Sequence, residues 1–316
     1  MRPRFPGLVV LFSRDRFTLV QVTRADKGNR PTLTQLQTHA LPTDGLIPRP
    51  DKPNLARPAE AALAVGRALE RIPGRAKLGA ISVILPDSSA LVSLLTLRNL
   101  PRSSRQASEV IRWQVRNRVP FRLDDARIHF QRFGLDDGSE RVLVAVARES
   151  VISQYEQMIA SLGLQPGLVD LSTLNLANLV LQTAEDSRGD LAVLNLTEDR
   201  LSVLILRERI PLFFRSKIRM HGMDVDPAAA RREIQRELAS SIAYYRERLA
   251  GSKTPVAHAY LRSVGADDGS IEAVMADTLG VRPQHLDPAA SVDMSQPAAP
   301  DDLQRAAPAL GVLVGT

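Results

Sequence analysis

The chain states one local pattern twice. Residues 10–22 read VLFSRDRFTLVQV and residues 194–206 read LNLTEDRLSVLIL, at a constant offset of 184 residues. Ser13 matches Thr197, Asp15 matches Asp199, Arg16 matches Arg200 and Thr18 matches Ser202. In both copies two apolar runs flank a polar turn, the pattern of a strand, a tight turn and a returning strand. A repeat so far apart predicts two related lobes, each opening with a β-meander. The length of 316 residues accommodates one large domain or two medium ones.

Composition narrows the function classes. There is no cysteine, so disulfides, thiol nucleophiles and cysteine-bound zinc are excluded. His39, His129, His221, His258 and His285 are scattered, without metal-ligand spacing. The adjacent acids Asp124-Asp125, Asp136-Asp137 and Asp267-Asp268 fall in turn-like segments and read as solvated. No Ser-His-Asp grouping and no P-loop is visible. No run reaches the ~18 apolar residues of a membrane span. The basic and then apolar start, MRPRFPGLVVLF, gives way at once to SRDR and reads as a first strand. The net charge is +6, and only five of the 41 basic residues are lysine.

Periodicity supplies the elements between the repeats. Residues 33–41 alternate as a third strand, 42–58 form a Pro-rich loop and 58–72 have helix composition with proline at the start. AISVIL at 80–85 reads as a strand, turned by Pro-Asp-Ser-Ser into LVSLLTL at 91–97. A helix is expected over 103–119, capped by Ser103 or Ser104 and stopped at Pro120. RIHFQRFG and RVLVAVAR read as a hairpin. Helices follow at 150–162 and 172–183, with a strand between them. In the second half, Ile234, Leu238, Ile242, Tyr245 and Leu249 form a helical stripe within 227–249. Residues 286–307 read as a loop.

The segments ISVILPDSSALVSLLTLRNLP, EVIRWQVRNRVPF and VLVAVARESVISQYEQMIASLGLQPGLVDLSTLNLANLV occur in the order of the PilM family of type IV pilus assembly proteins, relatives of the cell-division protein FtsA. EIQRELASSIAYYRERL also resembles that family, and the likeness spans roughly residues 7–280. The resemblance implies an α/β (α+β) fold, two actin-like ATPase lobes with an inserted 1C subdomain. It implies subdomain 1A from 1–78 and 169–189, subdomain 1C at 79–168 and a second lobe at 190–316, with 2B at about 219–256.

The resemblance also locates where nucleotide would bind, and there the sequence departs from the family. Members that bind ATP carry Asp-Ile-Gly in each meander. The aspartate orients hydrated magnesium, and the glycine lets backbone N–H groups approach phosphate. Leu11-Phe12-Ser13 and Asn195-Leu196-Thr197 stand at those positions, and Thr18 stands where the family has lysine. The adenosine-side glycine cluster becomes Ser263-Val264-Gly265-Ala266. The vestigial phosphate loops are therefore Ser13, Arg14, Asp15 and Arg16, and Thr197, Glu198, Asp199 and Arg200, with Gly265 on the adenosine side. Both metal-orienting carboxylates are missing, which implies a pseudo-ATPase with no cofactor, or ATP and magnesium if these altered motifs remain competent.

By resemblance the partner is the short cytoplasmic N-terminal segment of a PilN-like inner-membrane protein, taken into a cleft between 1A and 1C. Leu95, Leu97, Ile111, Trp113 and Val115 are expected near it. The protein would be cytoplasmic and peripheral at the inner membrane through that partner. Pilus motor or platform proteins and a second copy of the chain remain open as partners. Residues 98–122 hold Arg98, Arg102, Arg105, Arg112, Arg116, Arg118 and Arg122 against one acid, Glu109. That face fits anionic headgroups, nucleic acid, an acidic partner or plain solvation; thin aromatic interleaving weighs against single-stranded nucleic acid. The alternatives to the adaptor are an ATP-binding actin-like ATPase with atypical loops and a basic nucleic-acid-binding protein.

Overall fold

A computed structural model describes residues 6–23, 30–74, 78–184, 189–220, 226–249, 255–265 and 269–314. His221, Ala266 and the Asp267-Asp268 pair lie outside the described residues. In chain order the elements begin with β1 (Leu8–Phe12), β2 (Arg16–Thr23), β3 (Thr32–Ala40), α1 (Pro58–Leu69), β4 (Ala80–Leu85), β5 (Leu91–Leu97) and α2 (Ser104–Val115). There follow β6 (Ala126–Gly134), β7 (Glu140–Arg148), α3 (Glu149–Ser161), β8 (Gln165–Leu171) and α4 (Ser172–Thr183). The rest are β9 (Asp190–Thr197), β10 (Arg200–Arg207), β11 (Ile210–Ile218), α5 (Pro227–Arg248), β12 (Val256–Ser263), α6 (Ser270–Leu279), β13 (Gln284–His285), β14 (Asp293–Met294) and α7 (Pro300–Val314).

The sequence repeat is a repeat of register. In the first copy Leu11 pairs with Thr18 and Phe12 with Phe17 across β1 and β2. In the second, Asn195 pairs with Ser202 and Leu196 with Leu201 across β9 and β10. The whole sheets correspond too. One has the order β14-β3-β2-β1-β4-β8 and the other β11-β10-β9-β12-β13. In each, an antiparallel meander is followed by a helix and a strand parallel to the first, β4 on β1 and β12 on β9. The offset is lost at the third strand, because β10 and β11 are joined by two residues where β2 and β3 are separated by eight.

Central strands buried on both faces read as continuous apolar runs. Val9 and Leu11 point into a core that also holds Val193 and Leu204 of the second sheet and much of α4 and α7. Leu8, Val10 and Phe12 point to the opposite face, against Val65, Leu69 and Tyr155. The second sheet likewise turns Ala192, Leu194 and Leu196 toward Ile234, Leu238, Ile242 and Tyr245 of α5. Helices α4 and α7 thus form a wedge between the two sheets.

The third sheet, β5-β7-β6, is a separate layer with its own helix. Alternation along β7 sends Val142, Val144 and Val146 toward Ile111, Ala107 and Val115 of α2. Leu143, Ala145 and Ala147 face the other way.

Several expectations are corrected. Within the span expected as 1C, 79–168, Ala80–Leu85 and Gln165–Leu171 pair with each other beside β1, and the separate three-stranded sheet is formed by residues 91–148. Within the span expected as the second lobe, 190–316, β14 pairs with β3 and α7 packs on α4. Helix α5, within the expected 2B span of 219–256, lies on the second sheet and shares its core. Helix α2 ends at Val115, before Pro120, and its N-cap Ser103 makes no side-chain cap bond. The expected loop at 286–307 contains the start of α7, with Pro300 in its first turn and Pro308 inside it. Proline-rich composition hides a helix whose stability comes from burying Leu303, Ala306, Ala309 and Leu310.

The wedge depends on one close approach. A Cβ on Gly311 of α7 would lie 1.9 Å from the carbonyl oxygen of Asn175 in α4. Gly311→Ala must push the helices apart. We expect it to lower the unfolding free energy by about 1–3 kcal/mol in urea titration.

Candidate functional site

The repeat brings its two turns to one cleft. Ser13, Arg14 and Arg16 of the first turn face Thr197, Glu198, Asp199 and Arg200 of the second. The side chain of Asp15 turns out of the cleft and holds Arg16 in a two-pronged ion pair, 2.9 Å on each arm. That bond holds the Asp15 carboxyl below its ordinary range and raises the Arg16 guanidinium. Gly265, at φ +107°, lies beside Glu198, whose Cγ would be 3.6 Å from a Cβ placed there.

The backbone of both turns is occupied. The Ser13 amide donates to Arg16 O at 2.9 Å, and the Ser13 hydroxyl reaches the same oxygen at 3.2 Å. The Thr197 hydroxyl donates to the Asp199 carboxylate at 3.1 Å. Arg219 donates to the carbonyls of Thr197 and Glu198 from behind.

Beneath the turns lies a buried polar chain that sequence reasoning missed. Asp87 sits in the 3₁₀ turn after β4 and is 2% exposed. It accepts from the Thr173 amide at 2.9 Å, the Thr173 hydroxyl at 2.5 Å and the Ser202 hydroxyl at 2.7 Å. Its carboxylate therefore sits at the N-terminus of α4, where the helix dipole favours an anion. Asn195, at the second Asp-Ile-Gly position, donates to Thr173 at 2.8 Å and accepts from Arg262 at 2.7 Å. Arg262 also clasps the carbonyls of Gln304 and Arg305 in α7. Burial pulls the Arg262 guanidinium down to about 10, against the raising effect of Glu198 and Asp87. Burial also lowers Arg200, whose Nη1 donates to Ser216 at 3.3 Å. Arg305 closes the mouth on Glu198 at 2.9 Å.

These residues do not fit a magnesium nucleotide. The free space between the turns is about 40 Å³, where small-molecule sites hold roughly 300–1,000 Å³. Leu11 stands in the core where a metal-orienting aspartate would be needed. The cleft's own charges are already engaged with one another, Arg305 with Glu198 and Arg262 with Asn195, whose amide reaches the Thr173 that holds Asp87. The signal for Asp87 was in the sequence, inside Leu-Pro-Asp-Ser-Ser, but its partners are 86 and 115 residues away.

A second, larger concavity of about 730 Å³ opens between the inserted sheet, α3, β8, α4 and the β10–β11 turn. Its walls are Leu143, Ala145 and Ala147 of β7, Leu168 of β8, Leu174 of α4 and Leu204 of β10. Among the described residues β6 and β8, which border it, each pair on one side. Asp170 lies in a recess of this wall, where loss of hydration pushes its carboxyl above the ordinary range despite the Leu171 amide donating at 2.8 Å. Arg127 is fixed there by Glu149 and Glu156, and His129 lies alongside. At the lip, Glu208 and Arg209 form the two-residue turn with φ +49° and +69°, a left-handed conformation uncommon for such residues.

None of the five residues expected at the partner cleft lines this concavity. Leu95, Ile111 and Val115 are buried between the inserted sheet and α2, and Leu97 packs against the same core. Trp113 is 60% exposed on the outer face of α2. The cause is the period of two: β7 pairs Leu95 with Val142, which faces α2, whereas the groove receives the alternate residues.

No protein-family model and no curated protein matches the chain. Solved structures do. The PilM–PilN type IV pilus biogenesis complex matches with a TM-score of 0.78 at 23% identity, over 99% of this chain and 98% of that one. A Bacteroides thetaiotaomicron protein described as having an actin-like ATPase fold and unknown function matches at 0.51 and 8% identity, over 95% and 94%. The ethanolamine utilization protein EutJ from Carboxydothermus hydrogenoformans matches at 0.50 and 11% identity, over 100% and 91%. The chain therefore has the actin-like ATPase fold, in the form seen in PilM. No helix among the described residues is long and apolar enough to cross a membrane.

The buried chain makes a stability test. Asp87→Ala leaves the Thr173 amide without its acceptor at a helix N-terminus, and we expect a loss of about 3 kcal/mol in urea titration. Asp87→Asn, which keeps an acceptor oxygen, loses less.

Proposed function

We propose that this chain is a PilM-like adaptor of a type IV pilus or related secretion machine. It takes the cytoplasmic N-terminal segment of a PilN-like inner-membrane protein into the 730 Å³ groove, and does so without ATP turnover. In the cell it is cytoplasmic and reaches the inner membrane through that partner. The observation that carries the reading is the groove itself, apolar along its walls and bordered by two strands with unpaired edges. Extended peptides bind such sites by adding backbone hydrogen bonds to an edge and placing alternate side chains in apolar pockets. The likeness to a PilM–PilN complex over nearly the whole chain supports the choice of partner.

The subdomain boundaries follow from the same reading. Residues 91–148 serve as 1C, and β1–β4, α1, α3, β8 and α4 serve as 1A. Asp170 then supplies the groove with one acceptor for a donor of the peptide, while the Glu208–Arg209 turn brings the second lobe to the lip.

Absence of turnover rests on the cleft being filled by the chain's own groups. Arg262, Asn195 and Asp87 occupy its floor, and Arg305–Glu198 spans its mouth. Titration calorimetry of the purified chain with Mg-ATP should give no binding heat. Micromolar binding that is abolished by substitutions in the Ser13–Arg16 and Thr197–Arg200 turns overturns this part of the proposal.

The adaptor reading is tested with a fluorescent peptide copied from the N-terminal segment of the PilN-like partner. Ala145→Arg, which projects a long charged side chain into the groove, should abolish the anisotropy change. Asp170→Asn should weaken binding about tenfold through loss of a charge-assisted hydrogen bond. Undiminished binding by Ala145→Arg, with an unchanged urea midpoint, moves the peptide to another surface.

A further inference from the structure

The outer face of α2 has no role in the adaptor reading. Ala107, Ile111 and Val115 bury one side of the helix against the inserted sheet. The opposite side carries Arg105, Arg112 and Arg116 in one stripe, with Trp113 and Val110 on the ridge beside it. Trp113 is 60% exposed and Val110 36%. The Arg116 guanidinium lies 5.5 Å from the centre of the Trp113 ring. Arg102 precedes the helix, and Arg118 and Arg122 follow it, all exposed.

Little of this charge is neutralised. Arg105 reaches Glu109 at 3.8 Å and Arg122 reaches Asp124 at 3.1 Å, both between highly exposed side chains that bind weakly in water. Arg112 spends one donor on the Leu123 carbonyl at 2.5 Å. Arg102, Arg116 and Arg118 have no carboxylate partner among the described residues. An exposed indole therefore flanks a stripe of guanidinium groups, one of which lies over its ring, and this positive face repels any cationic surface.

We propose that this face docks directly on an anionic bilayer surface. The occupant follows from shape and charge together. The face is a convex helix about 18 Å long, which suits a flat, laterally extended surface rather than a peptide that needs a groove. Tryptophan settles at the headgroup level, with its ring in the apolar boundary and its N–H toward water. Guanidinium groups pair with phosphate oxygens in two-pronged fashion and are weakly hydrated. A single indole offers no succession of stacking platforms, so single-stranded nucleic acid fits less well. The proposal is independent of the peptide groove, which lies on the other face of the inserted sheet.

Trp113 is the only tryptophan, so its emission reports on this face alone. The full chain is mixed with phosphatidylcholine vesicles or with equimolar phosphatidylcholine–phosphatidylglycerol vesicles, then sedimented. We expect sedimentation and a blue-shifted emission with the anionic vesicles only, both reversed by high salt. Arg116→Glu with Arg118→Glu should weaken vesicle binding by about thirtyfold or more, since each cation near an anionic surface is worth about a fivefold factor. The double variant should keep its urea midpoint and its binding of the partner peptide. Trp113→Ala should reduce sedimentation while leaving the salt dependence. Unshifted emission with the chain left in the supernatant overturns the proposal, as does equal binding to both vesicles. An oligonucleotide that shifts the emission where anionic vesicles do not overturns it in favour of nucleic acid.

Discussion

The structure depends on the burial of β1 and β9 on both faces. Each is the centre of its sheet, and neither tolerates water on either side. One face of each is covered by helices of its own lobe, α1 and α3 in the first and α5 in the second. The other faces look toward each other, and α4 and α7 fill the space between them. This is why the chain's last helix returns to the first lobe. It also explains a glycine in the last turns of α7, at the point where its backbone meets the Asn175 carbonyl.

The same wedge governs the polar cleft above it. Helix α4 presents its N-terminus to the junction, and an N-terminus attracts an anion. In this chain the anion is the carboxylate of Asp87, from the turn after β4. Ser202, Asn195 and Arg262 attach the second lobe and α7 to that carboxylate in one continuous chain of hydrogen bonds. A fully satisfied buried network of this kind specifies one arrangement of the parts it joins. The cleft thereby becomes an internal fastening, while the groove between the inserted sheet, α4 and the β10–β11 turn stays open.

The inserted sheet has two faces with two different fates. Its even-numbered β7 residues build a core with α2, and its odd-numbered ones wall the groove. A shift of one residue in register would exchange them. Leu95 of β5, with Ile111 and Val115 of α2, lies on the core side and lines no part of the groove. Apolar residues on a strand and a helix mark that two surfaces meet, but not which surfaces. Trp113 was separated from them only by exposure, a property of the folded helix.

Local grammar was legible in the chain alone: the doubled strand–turn–strand, the hairpin of RIHFQRFG and RVLVAVAR, the stripe of α5 and the absence of both Asp-Ile-Gly turns. These depend on neighbours within a few residues, so periodicity and turn chemistry suffice to read them. The register of the repeat followed from the same constraint, since Leu11 with Thr18 and Asn195 with Ser202 are fixed by turns of equal length. Only the tertiary structure decided that Ala80–Leu85 belongs beside β1, that a Pro-Ala-Asp-rich segment ends in a helix, and that Asp87 fastens the lobes. Each of those depends on groups tens to hundreds of residues apart, where burial and hydrogen-bond satisfaction act in space and leave no period in the chain.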